Sequence, residues 1–146
     1  MALTQSHDRL CGVVDVELQR LMVRVTSLER TLVDVLDRPR LAGGWEEIWR
    51  SYEAVPYLDL EQVLNYALLL GNATTIAKVG YFLEGEQDRW MVGENHLALF
   101  RAHRPTHPHY IDRQRRETGR FVKEWNLVIP EHIVDRTWEE TYEFVA

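Results

Sequence analysis

Residues 59–85, DLEQVLNYALLLGNATTIAKVGYFLEG, restrict the fold more than any other stretch. Asp59 is a good helix N-cap, because its carboxylate can accept a backbone N–H of the first turn. The apolar run from Leu60 to Leu70 then ends at Gly71, a residue that takes the left-handed stop of a helix at no steric cost. Asn72 follows and caps a second helix over 73–84, with Ile76, Val79, Phe82 and Leu83 on its inward face. Two helices therefore follow one another with only Gly71 and Asn72 between them.

The segment SLERTLVDVLDRPRLAGG (27–44) reads as a third helix. Ser27 caps it, and Leu28, Thr31, Leu32, Val35 and Leu36 recur at helical spacing as one apolar stripe. Glu29 suits the positive end of the helix dipole, and Arg30 and Asp34 are four apart, so they can pair. Pro39 disfavours the α region at Arg38 and ends the helix near Asp37. Gly43 and Gly44 give a loose bend before WEEIWRSYEAV (45–55), an amphipathic helix with Trp45, Ile48, Trp49 and Tyr52 on one face, stopped by Pro56. Upstream, Gly12–Leu18 and Leu21–Thr26 alternate as two short strands. Their link, Gln19-Arg20, lacks the Asn-Gly signal of a tight hairpin, so the pattern leaves their pairing open. Downstream, residues 89–92 read as a short strand or extended link, and a short helix starts at Asn95 and runs to about Ala102. HPHYID (107–112) and FVKEWNLVIP (121–130) read as two strands around the polar loop RQRRETG (113–119). The expected fold class is α/β of mixed α+β type, with several helices on one small mixed sheet made from the N-terminal and C-terminal strands. Residues 1–11 are expected to be a flexible N-terminal segment and 12–146 a single domain, whose acidic end (131–146) is expected to form a helical turn and an irregular tail.

With 146 residues and 45% apolar content, one globular domain is the simplest organisation. A net charge of −6 argues against a generic nucleic-acid binder. The lone Cys11 excludes an intramolecular disulfide and fits a reducing cytoplasm. The N-terminus lacks the basic and apolar regions of a signal peptide, and no run approaches the roughly 18 apolar residues of a membrane span.

Several segments together carry a resemblance. VTSLERTLVDVLDRPRLAGGWEEIWRSYE (25–53), YALLLGNATTIAKVGYFLE (66–84) and GRFVKEWNLVIPE (119–131) resemble, in order, the C-terminal domain of AbiEi-type antitoxins. These belong to abortive-infection, phage-defence toxin–antitoxin operons and are often described as transcriptional regulators of viral defence. The motif residues are Glu29, Arg30, Thr31 and Asp34, the Gly43-Gly44 pair, and Gly80, Tyr81 and Glu84. The resemblance implies a non-catalytic domain without a cofactor that neutralises a nucleotidyltransferase-like toxin by protein contact. Proteins of this type usually carry a DNA-binding winged helix-turn-helix at the N-terminus. Such a module needs roughly 60 residues, and about a dozen precede the first strand, so none is expected in this chain.

The chemistry-bearing groups each have a plainer account. Glu29, Arg30 and Asp34 are explained by a capped helix with one surface pair, unless Asp34 is buried, because a buried carboxylate needs a partner. His96, His103, His107 and His109 invite a metal reading, but no cysteine lies near, and Pro105 and Pro108 break any helix that would align them. A restriction-endonuclease-like enzyme would want Asp, then Glu-x-Lys, on strands. Here Lys123 precedes Glu124 and Asp34 is helical, so catalysis is not expected.

The best local anomaly is charge. From Arg101 to Lys123 there are seven Lys or Arg against two acids, while the rest of the chain holds 10 bases and 21 acids. Arg113, Arg115, Arg116, Arg120 and Lys123, with Tyr110, form the candidate surface for a protein partner or, as the alternative, for DNA. The plainer account is a solvated loop whose arginines pair with the acidic tail. No membrane partner is expected, and a homo-oligomer is left open. The five tryptophans are expected mostly in the core.

Overall fold

The helix begun by Asn72 is buried on nearly every side: Thr74 to Gly80, Phe82 and Leu83 all lie in the interior. A helix without a polar face has to be surrounded. The computed structural model, which describes residues 12–112 and 116–139, shows what surrounds it. In chain order the elements are β1 (Val13–Leu18), β2 (Leu21–Thr26), α1 (Leu28–Asp37), a 3-10 turn (Pro39–Ala42), α2 (Trp45–Tyr52), α3 (Leu60–Leu70), α4 (Ala73–Glu84), α5 (Gln87–Trp90), α6 (Glu94–Arg101), β3 (His109–Tyr110), β4 (Arg120–Val122), β5 (Leu127–Ile129) and α7 (Glu131–Val134). Helices α1, α3 and α6 and strand β5 pack around α4. The fold is mixed α and β.

The caps form as their chemistry requires. Ser27 Oγ accepts from the Arg30 N–H at 3.1 Å, Asp59 Oδ1 from the Gln62 N–H at 3.3 Å, and Asn72 Oδ1 from the N–H groups of Thr74 and Thr75. Gly71 closes α3 at φ +70°, in the left-handed region. Ser27→Ala is expected to lower stability by about 1 kcal/mol. An unchanged midpoint in chemical denaturation would show that this N–H is equally well served by water.

The core is strongly aromatic. Trp45, Trp49, Tyr52, Phe82, Trp90, Trp125 and Trp138 are all buried, so all five tryptophans are core residues. On α1, Leu32 and Leu36 are fully buried as expected. Val33 joins them, while Leu28 at the helix start stays half exposed and uses its carbonyl to accept from the Tyr52 hydroxyl.

Several sequence expectations are corrected. The N-terminal and C-terminal strands do not share a sheet. Among the described residues β1 and β2 pair only with each other, and β3, β5 and β4 form a separate three-stranded sheet in that order. The β1–β2 hairpin closes through Gln19 and Arg20, both at positive φ (49° and 67°), a primed turn made without glycine. FVKEWNLVIP is not one strand. It doubles back through residues 123–126, with Asn126 at φ 53°, so β4 and β5 are antiparallel neighbours and β3 runs parallel to β5 on the other side. Residues 89–92 are not extended, because Gln87–Trp90 coil into a helical turn that sends the Trp90 indole to the Val55 carbonyl at 2.9 Å. Helix α2 ends at Tyr52, a turn before Pro56, and α6 begins at Glu94, with the ring of His96 accepting from the Gly93 N–H. The Gly43-Gly44 bend is defined, following a 3-10 turn with Gly43 left-handed. Residues 1–11 and the tail beyond residue 139 lie outside the described residues.

Candidate functional site

The motif residues on α1 are joined into a brace. Asp34 accepts from the Tyr66 hydroxyl on α3 at 2.8 Å and lies 3.5 Å from the Arg30 guanidinium, which itself sits over the Tyr66 ring. Glu29 does more than face the helix dipole, since its carboxylate accepts from the Asp59 N–H at 3.0 Å and ties α1 to the start of α3. The Thr31 hydroxyl meets that of Thr26 at 2.7 Å. Asp34 is partly exposed and engaged by both Tyr66 and Arg30, so the cluster is a brace between α1 and α3 and more than the single surface pair expected.

The brace leaves a titration signature. Burial, and then the hydrogen bond to the Asp34 carboxylate, push the Tyr66 pKa up to about 12 from the ordinary 10. Burial also raises Tyr52 and Tyr81. An unfolded tyrosine ionises first, so this part of the stability is complete below pH 10 and is lost as the pH rises from 10 to about 12. Denaturation midpoints are expected to fall across that window, less steeply in Tyr66→Phe. An identical slope in the variant would separate Tyr66 from the alkaline transition.

The motif on α4 is a seat for the C-terminal sheet. Gly80 is where the Trp125 indole rests, and a Cβ built there would clash with two carbons of its ring. Glu84 accepts from the Trp125 Nε1 at 3.4 Å and from Arg101 at 3.0 Å, and Arg101 in turn covers the indole face and pairs with Glu94. These bonds to two carboxylates, Glu94 first, raise the Arg101 pKa. Tyr81 meets Trp45 edge to face. Lys78, buried in the same motif, donates to the Leu36 carbonyl at the C-terminal end of α1, where a cation suits the helix dipole.

Sequence reading missed a second buried centre, Glu86 with Arg136. Glu86 accepts from the Trp49 indole at 2.8 Å and pairs with Arg136 at 3.3 Å and Arg89 at 3.5 Å, while Arg136 lies over Trp49. This network fastens the described part of the acidic segment to the core. Nothing local marks it, because the partners are 50 residues apart.

The basic segment does not act as one strip. Arg101 belongs to the Trp125 seat. Arg120 pairs with Glu131 at 2.9 Å and Asp135 at 3.5 Å, so it faces the acidic segment. Arg113 and Arg115 lie outside the described residues. Lys123 is exposed, and Arg116 sits 6.0 Å from the ring of Tyr110. The histidines are dispersed in role: His109 meets the Thr74 hydroxyl at 2.8 Å, His96 serves α6, and His103 and His107 are exposed. Among the described residues no group of three or more His, Cys, Asp or Glu is arranged to hold a metal ion. Glu124 lies in the β4–β5 turn, where its carbonyl accepts from Arg104.

An open cleft of about 470 Å³ lies between the end of α1 and the start of α4. Its polar walls are engaged with each other: Thr75 donates to Asp37 at 2.7 Å and Arg40 pairs with Asp112 at 2.9 Å.

The hairpin differs from all of these. Its register puts Val14, Val16, Leu18, Leu21 and Val25 on one face and Asp15, Glu17, Met22 and Arg24 on the other. The apolar face is open: Val14 is 44% exposed, Val16 36%, Leu18 54% and Leu21 69%. The signal was present in the sequence, in apolar residues on both sides of the turn tip, but the expected sheet would have buried them.

Comparison with known proteins leaves the geometry to speak alone. No family model matches the chain, and no curated protein or solved structure matches it. Among the described residues, no helix is long and apolar enough to cross a membrane.

Proposed function

We propose that this chain is a protein-binding module of the antitoxin kind, working in a reducing cytoplasm without catalysis or cofactor, and that the β1–β2 hairpin is its anchor on a partner protein. The observation that carries the reading is the apolar face of Val14, Val16, Leu18 and Leu21, held out on a sheet that has two strands among the described residues. A pair of strands alone is marginal in water, and an apolar row on it gains from cover. The face measures about 20 by 10 Å from strand geometry. That is well under the roughly 800 Å² per partner of a stable interface, so it works as the hot-spot centre of a larger contact. The resemblance of residues 25–53, 66–84 and 119–131 to AbiEi-type antitoxins supplies the class of partner, a nucleotidyltransferase-like toxin.

The test is co-expression with such a toxin, followed by binding measurements on the purified pair. Leu18→Asp with Leu21→Asp is expected to weaken the complex by about thirtyfold or more, the worth of a hot spot, and to leave the melting temperature unchanged. Undiminished affinity, or a homodimer that the double variant dissolves, would overturn the reading.

A further inference from the structure

We propose that the outer face of the C-terminal sheet binds single-stranded nucleic acid, with one base stacked on Tyr110 and another on Phe121. This surface is separate from the hairpin, and the inference stands whether or not the protein-binding reading holds. In the order β3-β5-β4, Tyr110 and Phe121 both lie opposite Val128, so the three side chains form one row across the sheet. The strand between them shows which face this is: Leu127 and Ile129 are fully buried, Val128 only partly. Tyr110 is 37% exposed and Phe121 48%. Two aromatic rings in register on the solvent face of a three-stranded sheet make a flat apolar platform, and base stacking on such rings tolerates any sequence.

Charge selects the occupant. A protein chain and a nucleic acid both cover apolar rings, but only the second brings a line of phosphates. The platform lies within the most basic stretch of the chain. Of its described cations, Arg101 and Arg120 are committed to carboxylates. Arg116, beside Tyr110, carries no ion pair among the described residues. The same holds for Lys123, just past Phe121, and for Arg104, which donates to the Glu124 carbonyl at 2.9 Å. Arg116 stands at the Tyr110 end of the row and Lys123 two residues past Phe121 at the other, with Arg104 held at the β4–β5 turn, so a backbone running across the rings would meet cations at both ends.

Spacing selects the form. The rings are two strand spacings apart, about 10 Å. Stacked bases rise only about 3.4 Å and present their edges, not their faces, to a protein. A duplex therefore cannot lay a base on each ring, whereas an unstacked, extended single strand can.

The test is fluorescence anisotropy with end-labelled RNA and DNA single strands of about 15 nucleotides, long enough to fill such a site, against the matching duplex. The single strands are expected to bind more tightly than the duplex at low salt. Tyr110→Ala and Phe121→Ala should each weaken binding by about 5- to 150-fold, the worth of one stacked base, while Phe121→Trp retains it. Lys123→Ala should reduce the log–log salt slope by about 0.7, one phosphate on a single strand. All three positions are on the surface, so unchanged melting temperatures confirm that the four variants are folded. Absence of binding, binding as tight to duplex, or affinity indifferent to both alanine variants would overturn the proposal. So would a concentration-dependent dimer that Phe121→Ala abolishes.

Discussion

Phe82→Ala is expected to lower the stability of the domain by about 3–5 kcal/mol, toward the upper end of that range. Phe82 is fully buried, and its ring lies 4.9 Å from that of Trp49, 6.0 Å from Trp90, 6.1 Å from Tyr52 and 6.5 Å from Trp45. The size of the loss depends on whether the neighbours can close the hole. Three of these four cannot shift freely, because each is held by a polar handle at its far end. Trp49 donates to Glu86, Trp90 to the Val55 carbonyl and Tyr52 to the Leu28 carbonyl. Collapse into the cavity would break those bonds. Chemical denaturation measures the loss, and a value under about 3 kcal/mol, the lower bound for emptying such a site, would mean that the rings rearrange after all.

Gly80→Val should cost about 3 kcal/mol, at the upper end of ordinary overpacking. Helix propensity alone argues the reverse, since valine is slightly better than glycine inside a helix. The decision lies with Trp125, fully buried against the space a side chain at position 80 would enter. The indole cannot retreat without leaving Glu84 and Arg101. The paired variant makes the cause visible: in a Trp125→Leu background the penalty for Gly80→Val should shrink, giving a favourable coupling. Equal penalties in both backgrounds would assign the loss to the helix backbone.

What the sequence discloses of this fold is what neighbours along the chain decide. The caps at Ser27, Asp59 and Asn72 and the stop at Gly71 were legible because each is settled within four residues. The Arg30–Asp34 pair was legible for the same reason. The hairpin turn was not, because Gln19 and Arg20 take positive φ without glycine. The split of residues 121–130 was not, because an apolar run interrupted by Lys123, Glu124 and Asn126 reads as well as one strand as it does as two. Strand order lies further out of reach, since placing β5 beside β3 depends on pairing residues 18 apart in the chain. Of the candidate surface, the basic character of residues 101–123 could be counted. Which cations remain available could not, because Arg120 and Arg101 are claimed by acids that sequence distance conceals. Phe121 was passed over for the reason that hid the β4–β5 turn: only the pairing with Val128 brings it level with Tyr110.

The hairpin carries a consequence for how such a chain can change. The residues that hold the domain together, Phe82, Trp125, Glu86 and their neighbours, are different from those displayed on β1 and β2. An altered side chain at Val14, Leu18 or Leu21 removes nothing from the interior. On the proposed protein-binding reading, variation there is filtered by what the hairpin meets and not by whether the domain folds. Choice of partner would then drift through sequence space on a scaffold that stays still.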